Sequence, residues 1–260
     1  MEPRLELNDV SFSYAGRPPV FEHLGLRVYP GQVVGLIGPN GAGKTTILDL
    51  AFGRLRPRSG RVRILSCDPY EMSPIERARQ IAYLIQRQNT PKAATVFDIV
   101  LSGRRPYRSL GGFMKEDEDI ARWAALRLGI DDWLGRKASC LSGGEYQRVL
   151  MARIVAQSTP LLLCDEPSSS LDPKYLLSTF SLLKSLARED SVAILVSVHD
   201  LMMASAFCDR IVLLAKGSVL FDGIPGELSD ELLSDAYEMK IHRILTARGS
   251  FFAYGDGMGM

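Results

Sequence analysis

The stretch Val33–Gly53, VVGLIGPNGAGKTTILDLAFG, decides the fold. Val33 to Ile37 is a short apolar, β-branched run and reads as a buried strand. Gly38-Pro39-Asn40-Gly41-Ala42-Gly43-Lys44-Thr45 fits the pattern G-x-x-x-x-G-K-[ST]. Thr45 to Phe52 continues as a predicted helix that ends at Gly53. Strand, glycine-rich loop and helix in this order form a phosphate-binding loop: the glycines let backbone amides wrap the anion, and the helix start favours negative charge. Lys44 is expected to neutralise the β- and γ-phosphates of a triphosphate and the Thr45 hydroxyl to bind Mg²⁺, with Thr46 beside them in the same site.

Such a loop needs a carboxylate for the metal at the end of a neighbouring strand, and PLLLCDEP supplies one. Leu161 to Cys164 is wholly apolar and reads as a central strand, so Asp165 becomes the expected Mg²⁺ ligand, acting through water. Glu166 follows it, toward the γ-phosphate, where a second carboxylate can act as general base on the attacking water. In SVAILVSVHD, Val192 to Val198 is a further buried strand with His199 at its carboxyl end, the edge at which parallel sheets bind ligands. His199 could donate to the γ-phosphate or position the water.

A second glycine-rich helix start lies at CLSGGEYQRVLMARIVAQ, Cys140–Gln157. Ser142 and Glu145 are spaced as a capping box, but that does not account for Gly143 and Gly144 between them, each costing roughly 1 kcal/mol against alanine in a helix. Glycines there allow close approach to bare amides, so this stretch is a second candidate phosphate site.

The 260 residues carry a net charge of +1 and are 46% hydrophobic, ordinary for one globular domain and unlike a general nucleic-acid binder. Four scattered cysteines without a C-x-x-C pair suit free thiols in a reducing compartment. The N-terminus has no signal-peptide pattern, and no apolar run reaches the ~18 residues of a membrane span, so a cytoplasmic protein is expected.

The phosphate loop, LSGGE, LLLCDEP and a histidine after the next strand, in that order, resemble the ATP-binding cassette (ABC) ATPases, over about Leu5 to Ile244. The resemblance implies an α/β fold: a P-loop NTPase core with a mainly parallel sheet, an N-terminal antiparallel β subdomain and an inserted helical subdomain. It further implies that Tyr14 stacks on adenine and that Gln86 touches Mg²⁺ and water and senses the transporter. Asp172, with Ser169 to Leu171, would run across a dimer interface. Ser142, Gly143, Gly144 and Glu145 would bind the γ-phosphate of ATP held by a second subunit, in a closed head-to-tail homodimer. Glu145 stands where glutamine is frequent in the family, and its capping role makes little loss of function expected.

The expected organisation is one domain over residues 1–245, the helical subdomain at about 88–155, and a C-terminal tail at 246–260. LELNDVSFSY and FEHLGLRVYPGQ read as antiparallel strands and SGRVRILSCDP as another hairpin element. Ser73, Pro74 and Glu76 mark a helix start, and RIVLLAKGSVLFDG a hairpin turning at Lys216-Gly217. GELSDELLSDAYEMKI reads as a closing helix, with the glycine-rich remainder partly ordered.

Lacking membrane segments, a transporter ATPase of this kind implies separate integral membrane permease subunits and, indirectly, an extracytoplasmic binding protein; it would sit peripherally on the cytoplasmic face of the membrane. SPIERARQIAYLIQ, TVFDIVLSGRRPY and the short C-terminal region look most like the ATPases of importers for iron–siderophore, haem and cobalamin complexes. Arg104 to Tyr107 belong to that pattern, though helix-end packing explains them equally. The alternative is a soluble cassette ATPase of iron–sulfur cluster assembly, which also carries glutamate after the glycines but is not expected to show TVFDIVLSGRRPY.

Overall fold

The computed structural model describes residues 1–85, 93–108, 111–167, 172–246 and 249–255. The chain opens with β1 (Leu5–Phe12), β2 (Phe21–Val28), β3 (Val33–Ile37), α1 (Lys44–Phe52), β4 (Ser59–Ile64), α2 (Pro74–Gln80) and β5 (Ile81–Leu84). The helices α3 (Val96–Leu101), α4 (Lys115–Arg127) and α5 (Gly143–Ala156) follow, joined by short 3₁₀ turns. Then come β6 (Leu161–Asp165), α6 (Pro173–Asp190), β7 (Ala193–Ser197), α7 (Leu201–Phe207), β8 (Arg210–Ala215), β9 (Ser218–Gly223), α8 (Asp230–Tyr237), β10 (Ile241–Thr246) and β11 (Gly249–Tyr254).

The central sheet has the order β5-β6-β7-β3-β8-β9, parallel throughout except for β9. Every residue of β3, β6 and β7 is buried, which explains their unbroken apolar runs: a parallel sheet covered on both faces has no polar side. One face packs on α1 and on the antiparallel sheet β2-β1-β4; the other packs on α3 to α7. The fold class read from the sequence is therefore the one observed.

The local start and stop signals act as their chemistry requires. Ser73 caps α2 with a full capping box, Pro74 takes the first helical position, and Thr95 with Asp98 caps α3 in the same way. Lys216 and Gly217 both adopt positive φ, 50° and 75°, the turn that matches strand twist in a two-residue hairpin. Arg104 is buried: its Nε donates to Asp117 Oδ1 at 3.0 Å, its Nη1 to the Ala156 carbonyl at 3.1 Å, and its plane covers the Tyr107 ring. Its role in this structure is to tie α4 and α5 together.

The end of the chain differs from the expectation. A helix does not close it; α8 stops at Glu238, in the left-handed region at φ 55°, and β10 pairs antiparallel with β11 from Ile241↔Tyr254 to Thr246↔Gly249. Residues 249–254 are thus strand rather than tail, and position 245/246 falls inside the hairpin. The physical reason is tertiary: β11 packs on α7 and β10 on α8, so the hairpin gains contacts that its glycine content does not advertise. Among the described residues, no helix is long and apolar enough to cross a membrane.

Candidate active site

The phosphate loop leaves the carboxyl end of β3, between β7 and β8 at the centre of the sheet. Gly38 has φ 141°, and a Cβ there would lie 2.0 Å from the Leu214 carbonyl oxygen, so no other residue fits. Ala42 N–H closes a turn onto Pro39 O at 3.2 Å, while Asn40 and Gly41 (φ 81°) face the open cavity. Gly43 (φ 97°) is the N-cap of α1 and offers no side-chain hydrogen bond; a Cβ would sit 2.8 Å from Val20 Cγ1. The first amides of α1 are therefore uncapped by the chain itself.

Lys44 is buried and bends back, donating through Nζ to Gly38 O at 2.7 Å and Pro39 O at 2.9 Å. Burial pulls its ammonium below the usual lysine range, against the opposing pull of Glu166 and Asp165. A buried cation held only by carbonyls is set to accept an anion. The Thr45 hydroxyl donates to Asp165 Oδ2 at 2.9 Å, joining the loop to the end of β6.

Sequence reasoning missed Ser197. It ends β7, lies opposite Asp165 in the sheet register, and is fully buried. Its hydroxyl donates to Asp165 Oδ1 at 2.7 Å and accepts from the Glu166 N–H at 2.8 Å. One serine thus fixes both acids. Burial pushes the Asp165 carboxyl up, while hydrogen bonds from Ser197 and Thr45 oppose that rise. Glu166 adopts φ 49°, a left-handed conformation that an L-residue other than glycine occupies at a cost of about 1–2 kcal/mol. The kink turns its carboxylate onto His199, whose Nε2 pairs with Glu166 Oε1. The only sequence signal for Ser197 is a hydroxyl at the last position of an otherwise apolar strand.

Tyr14 lies at the mouth of the same cavity, edge-on to Phe12, and its hydroxyl is 3.1 Å from Thr46 Oγ1. The cavity, about 380 Å³, is lined by Tyr14, Asn40, Lys44, Thr45, Thr46 and Glu166 among others. Its glycine cradle, buried lysine and paired hydroxyl and carboxylate oxygens fit a nucleoside triphosphate with Mg²⁺, a hard cation that keeps several waters and needs few protein ligands.

Ser142 to Glu145 do not line this cavity. They form the exposed start of α5, where Glu145 N–H donates to Ser142 Oγ at 3.3 Å and Ser142 N–H to Glu145 Oε2 at 2.8 Å. A Cβ at Gly143 would meet open space, so nothing within this chain demands that glycine. Asp172 caps α6, accepting from Tyr175 N–H at 3.1 Å. Gln86 and residues 168–171 lie outside the described residues.

A family model described as ABC transporter matches residues 21–169. A phosphonates import ATP-binding protein of Wolinella succinogenes is 35% identical over 90% of this chain and 88% of its own. A petrobactin import ATP-binding protein of Bacillus anthracis is 32% identical over 95% of this chain and 92% of its own. Among solved structures, an inward-facing transporter described as of metal-chelate type superposes with a TM-score of 0.83 at 26% identity, covering 97% of each chain. A dimeric ATP-binding cassette in a post-hydrolysis state with ADP and Pi gives 0.75 at 26%, covering 85% of this chain and 98% of that one.

Proposed function

The chain belongs to the ABC transporter family, and from that membership we propose that it is the ATP-hydrolysing subunit of an importer that takes up a metal chelate. The observation that carries the mechanism is the division of labour between two helix starts. One chain holds an uncapped phosphate cradle at α1, while the exposed start of α5 carries Gly143, a glycine that the chain does not need for itself. Two copies meeting head to tail complete two sites, each with the cradle of one copy and Ser142 to Glu145 of its partner.

In that site the described residues have separate tasks. Lys44 exchanges its two carbonyl partners for phosphate oxygens. Thr45 and Asp165 would hold Mg²⁺, with Gln86, outside the described residues, as a further ligand. Bound Mg²⁺ supplies positive charge to the phosphate oxygens. Glu166 accepts the proton of the attacking water, and His199 keeps its carboxylate aimed. Tyr14 offers its ring to adenine. Asp172, the N-cap of α6, would face the second copy. ATP then holds the copies together and hydrolysis releases them, moving permease subunits docked on the helical subdomain at the cytoplasmic face of the membrane. An extracytoplasmic binding protein would deliver the cargo.

Metal-chelate cargo, an iron–siderophore, haem or cobalamin complex, is supported by the end-to-end superposition on the metal-chelate type transporter and by the petrobactin relative. The phosphonate relative favours a second reading, phosphonate import. Reconstitution with the permease subunits that copurify with this chain from membranes separates the two: uptake of a ferric siderophore or cobalamin supports the first, and uptake of a phosphonate alone overturns it. For the composite site, Lys44→Ala chains are mixed with Ser142→Arg chains. Every mixed dimer then places both lesions in one site and leaves the other intact. ATPase activity above that of either parent is expected, and a mixture no better than its parents breaks the two-site mechanism.

A further inference from the structure

The backbone of Gly38 is held from both sides. Its carbonyl accepts from Lys44 Nζ at 2.7 Å, and its N–H donates to the Tyr237 hydroxyl at 3.0 Å. Tyr237 is the last residue of α8, far from the loop in sequence. We propose that Tyr237 is a positioning residue of the nucleotide site, its hydroxyl holding Gly38 in the one conformation from which the phosphate loop is entered.

Glycine has the widest backbone freedom of any residue and loses the most on ordering. The Leu214 carbonyl limits Gly38 on the side where a Cβ would lie, but it does not fix the direction of the Gly38 amide. The Tyr237 hydroxyl does. The Gly38 carbonyl, in the next peptide unit, holds Lys44 until nucleotide binds, so the two contacts meet at one Cα. Burial raises the Tyr237 phenol to about 12.

The helix α8 that carries Tyr237 is in turn held by the C-terminal hairpin. Ser234 Oγ accepts from the Ile241 N–H at 3.0 Å and donates to the Ile241 carbonyl at 3.3 Å. The Arg243 N–H donates to Asp230 Oδ2 at 3.1 Å. These bonds tie α8 to β10, and β11 packs on α7, just after His199. The end of the chain therefore braces the first turn of the phosphate loop.

The inference rests on nucleotide binding at this loop, and the test keeps the two apart. In the full-length chain, Tyr237→Phe keeps the ring and removes the acceptor. The lost bond touches a ground-state contact shared by ATP and ADP, so Kd for ADP and KM for ATP should both rise about three- to tenfold with kcat within about twofold. The thermal midpoint should stay close to that of the parent. If Tyr237 merely props α8, the midpoint falls and the nucleotide constants stay, which overturns the inference. A parent chain that binds neither nucleotide overturns the reading beneath it. Amide exchange at Gly38 in the unmutated chain gives a check free of any folding defect: protection without nucleotide supports the brace, and free exchange overturns it.

Discussion

The helix starts of α1 and α5 both place glycine beside bare amides, yet they are finished in opposite ways. At α1 the N-cap is Gly43, no side chain caps it, the first turn holds no acid, and its first residue is Lys44. A cation there opposes the positive end of the helix. At α5, Ser142 and Glu145 close a capping box, and hydrogen bonds from Ser142 hold the Glu145 carboxyl below the usual range. The charged cap therefore persists at neutral pH and weakens only as the pH falls through that depressed value. One end is left for a ligand to complete; the other is capped by its own chain and can wait in solvent for a partner.

Breaking the incomplete end should do the most damage. Lys44→Ala removes the buried cation that the cradle was built around, and ATP turnover should fall about a thousandfold, measured as phosphate release. Glu166→Gln leaves both ends intact and removes only the base. Turnover should drop about a hundredfold while ATP still binds and the dimer persists on gel filtration. A Glu166→Gln chain that hydrolyses at the parental rate would remove Glu166 from the chemistry. The smallest effect belongs to the self-sufficient end. Ser142→Ala should cost about 1 kcal/mol of stability by denaturant titration, the usual value of such a cap. A loss near zero would mean that Ser142 is kept for the partner's phosphate rather than for its own helix.

What was legible in the sequence was local. The strand before Gly38, the caps at Ser73 and Ser142 and the turn at Lys216-Gly217 are set by residues within a few positions of one another, and each is where its chemistry predicts. Asp165 and Glu166 were legible because four apolar residues precede them. Ser197 was not, since its importance comes from lying across the sheet from Asp165, a pairing that only strand order reveals. Tyr237 was hidden for the same reason. The C-terminal hairpin is not evident from sequence because its glycines suggest loop, although IHRILT and SFFAY carry side chains that alternate in exposure along part of each strand.

The left-handed backbone at Glu166 carries an evolutionary implication. Glycine would adopt that conformation without strain, so the fold alone would be sturdier with glycine at this position. A selection for heat resistance that ignored catalysis would drift toward that replacement and discard the enzyme while hardening its scaffold. In the proposed mechanism a carboxylate at this position serves turnover against the preference of the polypeptide.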